Sequence, residues 1–286
     1  MSIKPETLVG YQRAEFAKSA KRRVVLFILQ LAVAIPAAAS VLVTDDLWIY
    51  VLAIASALLL VLWWVAFVIY QRARTAAQTA RRAALLIGGL GGDLSPGATL
   101  AFRRAMTVSE ETAKTYEKGD YYGSQYPVGS ARLGEMIEES AFYSAHMQRM
   151  SSFAMLGILI IFAIAFAAIA FAALPFISHA TTLTILRVFL ALLVFAMSSD
   201  VLGAFLSHRA AARDIETVRM RLQLARQNGF PPTDVLLLMG EYNVAVETAP
   251  ESVPFAYEFS EVRLNRLWAE YMANLRQIAQ NAPAAA

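Results

Sequence analysis

The stretch LWIYVLAIASALLLVLWWVAFVIY, residues 47–70, carries no charged side chain. It exceeds the roughly 20 apolar residues that a helix needs to cross the hydrocarbon core of a bilayer. Three further apolar stretches, over residues 24–43, 153–177 and 183–206, approach or exceed that length. The four fall into two close pairs around a charged centre. Hydrocarbon offers no water to bond backbone amides, so each stretch is expected to be a helix, and the tight spacing within each pair predicts a hairpin. The expected fold class is an all-α membrane protein: four transmembrane helices in two hairpins, with a helical cytosolic region formed by the central segment and the C-terminal tail.

Composition points the same way. Of 286 residues, 58% are hydrophobic and 16% charged, more apolar surface than one water-soluble core of this size buries. The absence of cysteine excludes a disulfide framework, thiol catalysis and thiolate metal sites. The sequence divides into a cytosolic N-terminal helix over 1–23, a transmembrane hairpin over 24–70, a central cytosolic segment over 71–151, a second hairpin over 152–206 and cytosolic C-terminal helices over 207–286.

Basic residues set the orientation, because Lys and Arg collect on the cytoplasmic side. Lys18, Lys21, Arg22 and Arg23 precede the first span, and Arg72, Arg74, Arg81 and Arg82 follow the second. Arg149 precedes the third; His208, Arg209 and Arg213 follow the fourth. Both termini and the centre are therefore expected inside, in a multi-pass protein of the cell inner (plasma) membrane. The turns carrying Asp45 and Asp46, and Pro175 to Thr182, face outside. The positive balance reads as inner-face anchoring, and no DNA or RNA partner is expected.

Within the spans, Pro36 removes a backbone hydrogen bond and predicts a kink. Trp48, Tyr50, Trp63, Trp64 and Tyr70 suit the two interfaces. Ala163, Ala167 and Ala170, and then Ala196, Asp200, Gly203 and Ser207, form small-residue faces along which other helices can approach closely, which predicts a homo-oligomer. Asp200 is the most unusual of these: a carboxylate in mid-membrane costs about 3 kcal/mol unless it pairs, neutralises or meets water. Arg187 lies on the same span, too far around and along the helix to pair with Asp200, and near enough to the outer end to snorkel to headgroups.

In the central segment, an Arg-rich helix over 71–87 is expected to stop at a hinge or turn over residues 88–92. A polar helix over residues 98–118 follows, containing Arg103 and Arg104. An irregular stretch then runs from Asp120 through Pro127 and Gly129, and residues 132–149 form a helix entering the third span. Tyr121 and Tyr122 offer stacking surfaces, and Arg103, Arg104 and Arg132 offer phosphate donors, for an anionic nucleotide. Alternatively the tyrosines pack the central domain and the arginines meet Glu135, Glu138 or Glu139.

Beyond the fourth span, a helix extends from His208 to Gln227 until Asn228-Gly229 and Pro231-Pro232 end it, and Thr233-Asp234 caps a short helix. Residues 261–280 then place Leu264, Leu267, Trp268, Tyr271, Leu275 and Ile278 on one stripe, expected to pack on the central domain or on a second copy. A membrane-surface helix is disfavoured there by the mixed charge of the polar side.

Nothing in this pattern predicts an enzyme, a cofactor or a metal site. His146, His179 and His208 sit in separate regions, no serine elbow is present, and Glu138 and Glu139 point to different helix faces.

The order of segments, with Asp120-Tyr121-Tyr122, Arg132-Leu133, Glu138-Glu139-Ser140-Ala141-Phe142 and, in the tail, Tyr242, Pro250, Pro254, Tyr257 and Trp268, resembles the SMODS-associating four-transmembrane effectors, which accompany bacterial cyclic-oligonucleotide synthases in anti-phage defence. The sequence departs from that family over residues 122–131, where the turn is glycine-rich, and at Tyr143-Ser144. The resemblance implies a membrane effector that senses a cyclic oligonucleotide on its cytosolic side and oligomerises to disrupt or permeabilise the inner membrane. Two other readings fit the residues: a non-enzymatic scaffold or accessory subunit of a membrane complex, and a small constitutive channel.

Overall fold

The structure, a computed structural model, describes residues 3–40, 43, 45–168, 201–254 and 256–281. Among these residues every regular element is a helix: α1 (Pro5–Ser40), α2 (Asp46–Leu90), α3 (Pro96–Ala105), α4 (Glu110–Thr115), α5 (Ser130–Ala168), α6 (Leu202–Gln227), α7 (Pro232–Thr248) and α8 (Ala256–Asn281). Two of them, α2 and α5, are long and apolar enough to cross a membrane, which is compatible with a membrane protein. Of the other two expected spans, residues 24–40 form the second half of α1. Residues 169–200, with the end of the third span, most of the fourth, Arg187 and Asp200, lie outside the described residues.

The chain forms two compact units, Met1–Tyr121 with Ser152–Ser207, and Tyr122–Ser151 with His208–Ala286. The central segment is thus shared between the units.

The first unit is organised by α1 and α2, which pack against one another. Asp45 starts α2 by accepting the free amides of Leu47 and Trp48 at 2.9 and 3.3 Å, the usual service of an N-cap aspartate. The Arg22 guanidinium on α1 donates to the Ile69 carbonyl on α2 at 2.8 Å. On one side of this tie the helices expose apolar side chains such as Phe27, Ile28, Leu58 and Trp64. On the other they bury Leu8, Tyr11 and Ala14 of α1 and Ala73, Ala77, Ala80 and Ala84 of α2. The helix α1 continues through Pro36, and α2 continues through Gly88 and Gly89. It ends only at Gly91, where φ is 75° and the amide bonds the Ile87 carbonyl at 3.0 Å. The helix stops where the backbone turns left-handed, a conformation that glycine adopts without a Cβ penalty.

The helix expected over 98–118 is divided into α3 and α4, and Glu15 of α1 explains the division. Its fully buried carboxylate accepts from the amides of Thr107 at 2.5 Å and Val108 at 2.8 Å and from the Thr107 hydroxyl at 2.6 Å. Amides bonded to a side chain are not available to a helix ladder, and Ser109 restarts it by capping Thr112 at 3.2 Å. The α4 region clasps α1 through Thr7 Oγ1 to Glu117 at 2.7 Å and Arg13 to the Tyr116 carbonyl at 2.7 Å. Gly10 permits this approach: a Cβ there would stand 2.3 Å from the Ala113 carbonyl oxygen.

The second unit packs the first part of α5 with α6, α7 and α8. Its core includes Leu133, Ile137, Ile215, Leu222, Val235, Tyr242 and Leu264. The α6 helix ends as expected at Gln227. Phe230 N–H bonds the Ala225 carbonyl at 2.8 Å and Gly229 N–H bonds that of Arg226 at 3.0 Å, with Gly229 at φ 72°, the two bonds of a Schellman motif. Helix α7 starts at Pro232, with no side-chain cap from Thr233 or Asp234. Proline already holds the φ a first helical residue needs and has no amide to satisfy.

Candidate functional site

In the second unit, the first turns of α5 carry Glu135 and Glu138 one turn apart, and α6 carries Gln223 and Arg226 with the same spacing. The Arg226 guanidinium donates to Glu138 Oε2 at 2.7 Å through Nη2 and at 3.2 Å through Nε, and to Glu135 Oε1 at 3.1 Å. From α8 the Tyr271 hydroxyl donates to the other Glu138 oxygen at 2.5 Å, and it accepts from Gln223 at 3.0 Å. The Arg226 guanidinium carbon also lies 5.1 Å from the centre of the Phe230 ring. Three helices are joined through one fully buried carboxylate.

The electrostatics follow from that burial. Removal from water opposes the Arg226 charge, but the Glu138 and Glu135 carboxylates more than offset it, so its pKa lies above the ordinary value. Burial, and next the hydrogen bond to Glu138, push the Tyr271 phenol well above its ordinary value. A protonated phenol, a paired guanidinium and two occupied carboxylates hold helices together. They offer neither a nucleophile nor a base.

Of the residues that carry the family resemblance, Asp120 and Tyr121 belong to the first unit and the others to this one. The Tyr242 hydroxyl lies 2.7 Å from that of Ser140 and 3.1 Å from that of Ser144. The rings of Phe142 and Trp268 lie 5.3 Å apart, and the Glu139 carboxylate accepts the Gly123 amide at 2.9 Å. The α8 stripe packs here: Leu264, Trp268 and Met272 bury against Phe142 and Met147 of α5, with Leu267, Tyr271 and Leu275 beside them. Ile278 is exposed.

The five expected ligand-binding residues are divided between the units. In the first, Arg103 and Arg104 are exposed on the last turn of α3, Arg103 lies 3.3 Å from Glu110, and the Tyr121 hydroxyl accepts from Gln12 at 3.4 Å. In the second, Tyr122 and Arg132 are half-buried, and the Arg132 Nε is buried without a hydrogen-bond partner. Arg132 has the donor geometry to fork onto a phosphate or carboxylate. The expected alternative partners Glu135 and Glu138 are held by Arg226, which the sequence reading did not single out. The signal that could have found it is the matched i, i+3 spacing of Glu135 and Glu138 on α5 and of Gln223 and Arg226 on α6.

Among the described residues, no cluster of three or more His, Asp or Glu side chains is placed to hold a metal ion. No protein-family model, no curated protein and no solved structure matches the chain.

Proposed function

We propose that the chain is a multi-pass effector of the cell inner membrane, with both termini cytoplasmic, in which binding of an anionic cyclic oligonucleotide to the helical cytosolic region opens or destabilises an oligomeric transmembrane bundle in anti-phage defence. The observation that carries this reading is the continuity of α5. One uninterrupted helix begins among the buried side chains of the second unit and goes on to expose Phe153, Ile158, Ile161 and Ile164, so the polar and the apolar parts belong to one element. The ligand class rests on the family resemblance together with the unpartnered Arg132 Nε. A ligand shifts such an equilibrium only by binding the open assembly better than the closed one. The small-residue faces around Ala163 and Gly203 supply the surfaces for assembly.

The test is dye release from liposomes of phosphatidylethanolamine and phosphatidylglycerol containing the purified chain, titrated with a panel of cyclic di- and trinucleotides. Release that depends on one nucleotide supports the reading. Calorimetrically confirmed binding without release removes permeabilisation, and absence of binding across the panel removes the ligand.

A second reading, a non-enzymatic scaffold, is favoured by the exposed Met220 and Leu224 of α6 and Leu237 and Val244 of α7, apolar side chains suited to hold a protein partner. Co-purification of a partner unaffected by nucleotide, with no release, supports the scaffold instead.

A further inference from the structure

Within the second unit, the α6–α7 hairpin has a packed inner side, where Ile215 and Leu222 of α6 and Val235, Leu238 and Tyr242 of α7 are buried. Its outer side carries two further seams. Thr217, Met220, Leu224 and Gln227 of α6 are all exposed, and so are Thr233, Leu237, Gly240 and Val244 of α7. In both seams the intervals alternate between three and four residues, the spacing that keeps a stripe against a neighbouring helix in coiled coils. A helix that is apolar on its outer as well as its inner face belongs between two packed layers. A scaffold would lend these side chains to a foreign partner, but their pattern fits a second copy of the chain. Arg221 of α6 donates to Glu241 of α7 across the hairpin, so the adjacent Met220 and Gly240 stand at one level. Leu224 and Leu237 lie one turn nearer the connection over 228–231, and Thr217 and Val244 one turn further from it. Gly240 is a gap in this face: a Cβ there would meet nothing within 4 Å.

We propose that this face meets the same face of a second copy about a two-fold axis parallel to the helices, so that α6 of each copy lies on α7 of the other. Met220 then enters the gap at Gly240 of the second copy, and Leu224 lies on its Leu237. Each Arg221 also faces Glu241 of the second copy, which closes the two ion pairs into a ring of alternating sign. The remaining charges agree: α7 has Asp234, Glu241 and Glu247 and no Lys or Arg, whereas α6 has Arg209, Arg213, Arg219, Arg221 and Arg226 against Asp214 and Glu216. A two-fold axis across the helices would instead set Arg221 on Arg221 and Glu241 on Glu241, and like charges in register oppose association. About 15 helical residues at about 1.5 Å each, on two helices about 10 Å apart, give a face of roughly 400 Å² per copy. That is about half of the roughly 800 Å² per partner in a stable soluble complex, so the contact depends on confinement of both copies in one membrane and to that extent rests on the membrane reading. It needs neither nucleotide nor pore, and it is separate from the transmembrane faces named for assembly.

The natural chain contains no cysteine, and disulfides form only where Cα atoms come within about 7 Å, so crosslinking reads the register. Full chains carrying Leu224→Cys with one tag and Leu237→Cys with another would be produced together and oxidised in isolated membranes. The expected result is a mixed 224–237 product several-fold more abundant than either homotypic product. It should be lost on Gly240→Leu, whose added side chain meets open space within the protomer and should leave the melting temperature unchanged or raised. Arg221→Glu in both chains should weaken the product, and Arg221→Glu in one with Glu241→Arg in the other should restore it. Homotypic products as abundant as the mixed one, or a product indifferent to Gly240→Leu and to Arg221→Glu, overturn the interface. Absence of product in membranes that retain the chain in alkaline carbonate overturns the interface and leaves the membrane reading standing. Absence of product together with release of the chain by carbonate overturns both. A foreign protein that shields residues 224 and 237 from a thiol reagent overturns the second copy in favour of the scaffold.

Discussion

The Phe230 ring lies directly on the backbone of Gly134, where an added Cβ would stand 2.4 Å from Phe230 Cδ1. The left-handed Phe230, at φ 56° behind the Schellman turn, turns its side chain inward onto α5. Gly134→Ala is therefore expected to overpack this contact and lower stability by about 1–3 kcal/mol. Thermal unfolding in detergent checks it, and Phe230→Leu in the same background should recover part of the loss.

Arg226 is the counter-charge of a carboxylate with no water to fall back on. Arg226→Met leaves Glu138 buried and uncompensated and is expected to destabilise by about 3–5 kcal/mol, whereas the double change Arg226→Met, Glu138→Leu should cost less than the single one. Denaturant midpoints of the single and double variants decide this; a double variant weaker than Arg226→Met contradicts the assigned pairing.

His146 on α5 has its pKa lowered from 6.5, chiefly by burial, with the Phe142 carbonyl opposing. The folded state thus binds the proton less readily than the unfolded one. Its stabilising contribution is complete above pH 6.5 and is lost as pH falls through the depressed folded value. The melting temperature should drop between neutral and mildly acidic pH, and His146→Gln should flatten that part of the profile.

The Arg132 Nε is buried without a hydrogen-bond partner among the described residues. If it binds the ligand phosphate, Arg132→Gln lowers nucleotide affinity by roughly 10-fold or more, as loss of a charge-assisted bond requires, with little change in melting temperature. An unchanged affinity removes Arg132 from the site.

Tyr271 should show the opposite pH sign to His146. Its raised pKa makes its contribution complete below pH 10, with loss as pH rises towards the folded value. Stability should fall in alkali, and Tyr271→Phe should remove part of that fall.

Long apolar periodicity made α2 and the apolar part of α5 legible, because a helix in hydrocarbon depends on length and composition alone. The α6 terminus was equally legible, since Asn228-Gly229 and Pro231-Pro232 act locally. The break between α3 and α4 was not, because the group that takes the amides of Thr107 and Val108 is Glu15, distant in sequence. Arg226 escaped for the same reason: its partners sit on another helix, and the spacing that reveals them has meaning only once α5 and α6 lie side by side. Arg103, Arg104, Tyr121, Tyr122 and Arg132 share a sequence neighbourhood that the fold divides between two units.

Glu15 and the Thr107 amide that donates to it are separated by 92 positions. At the ribosome's pace of about 5–20 residues per second, that separation is roughly 5–20 s of synthesis. A nascent chain thus carries all of α1 and α2 before the amides that Glu15 accepts have been made, so α1 and α2 can pack on one another while the clasp is still to come.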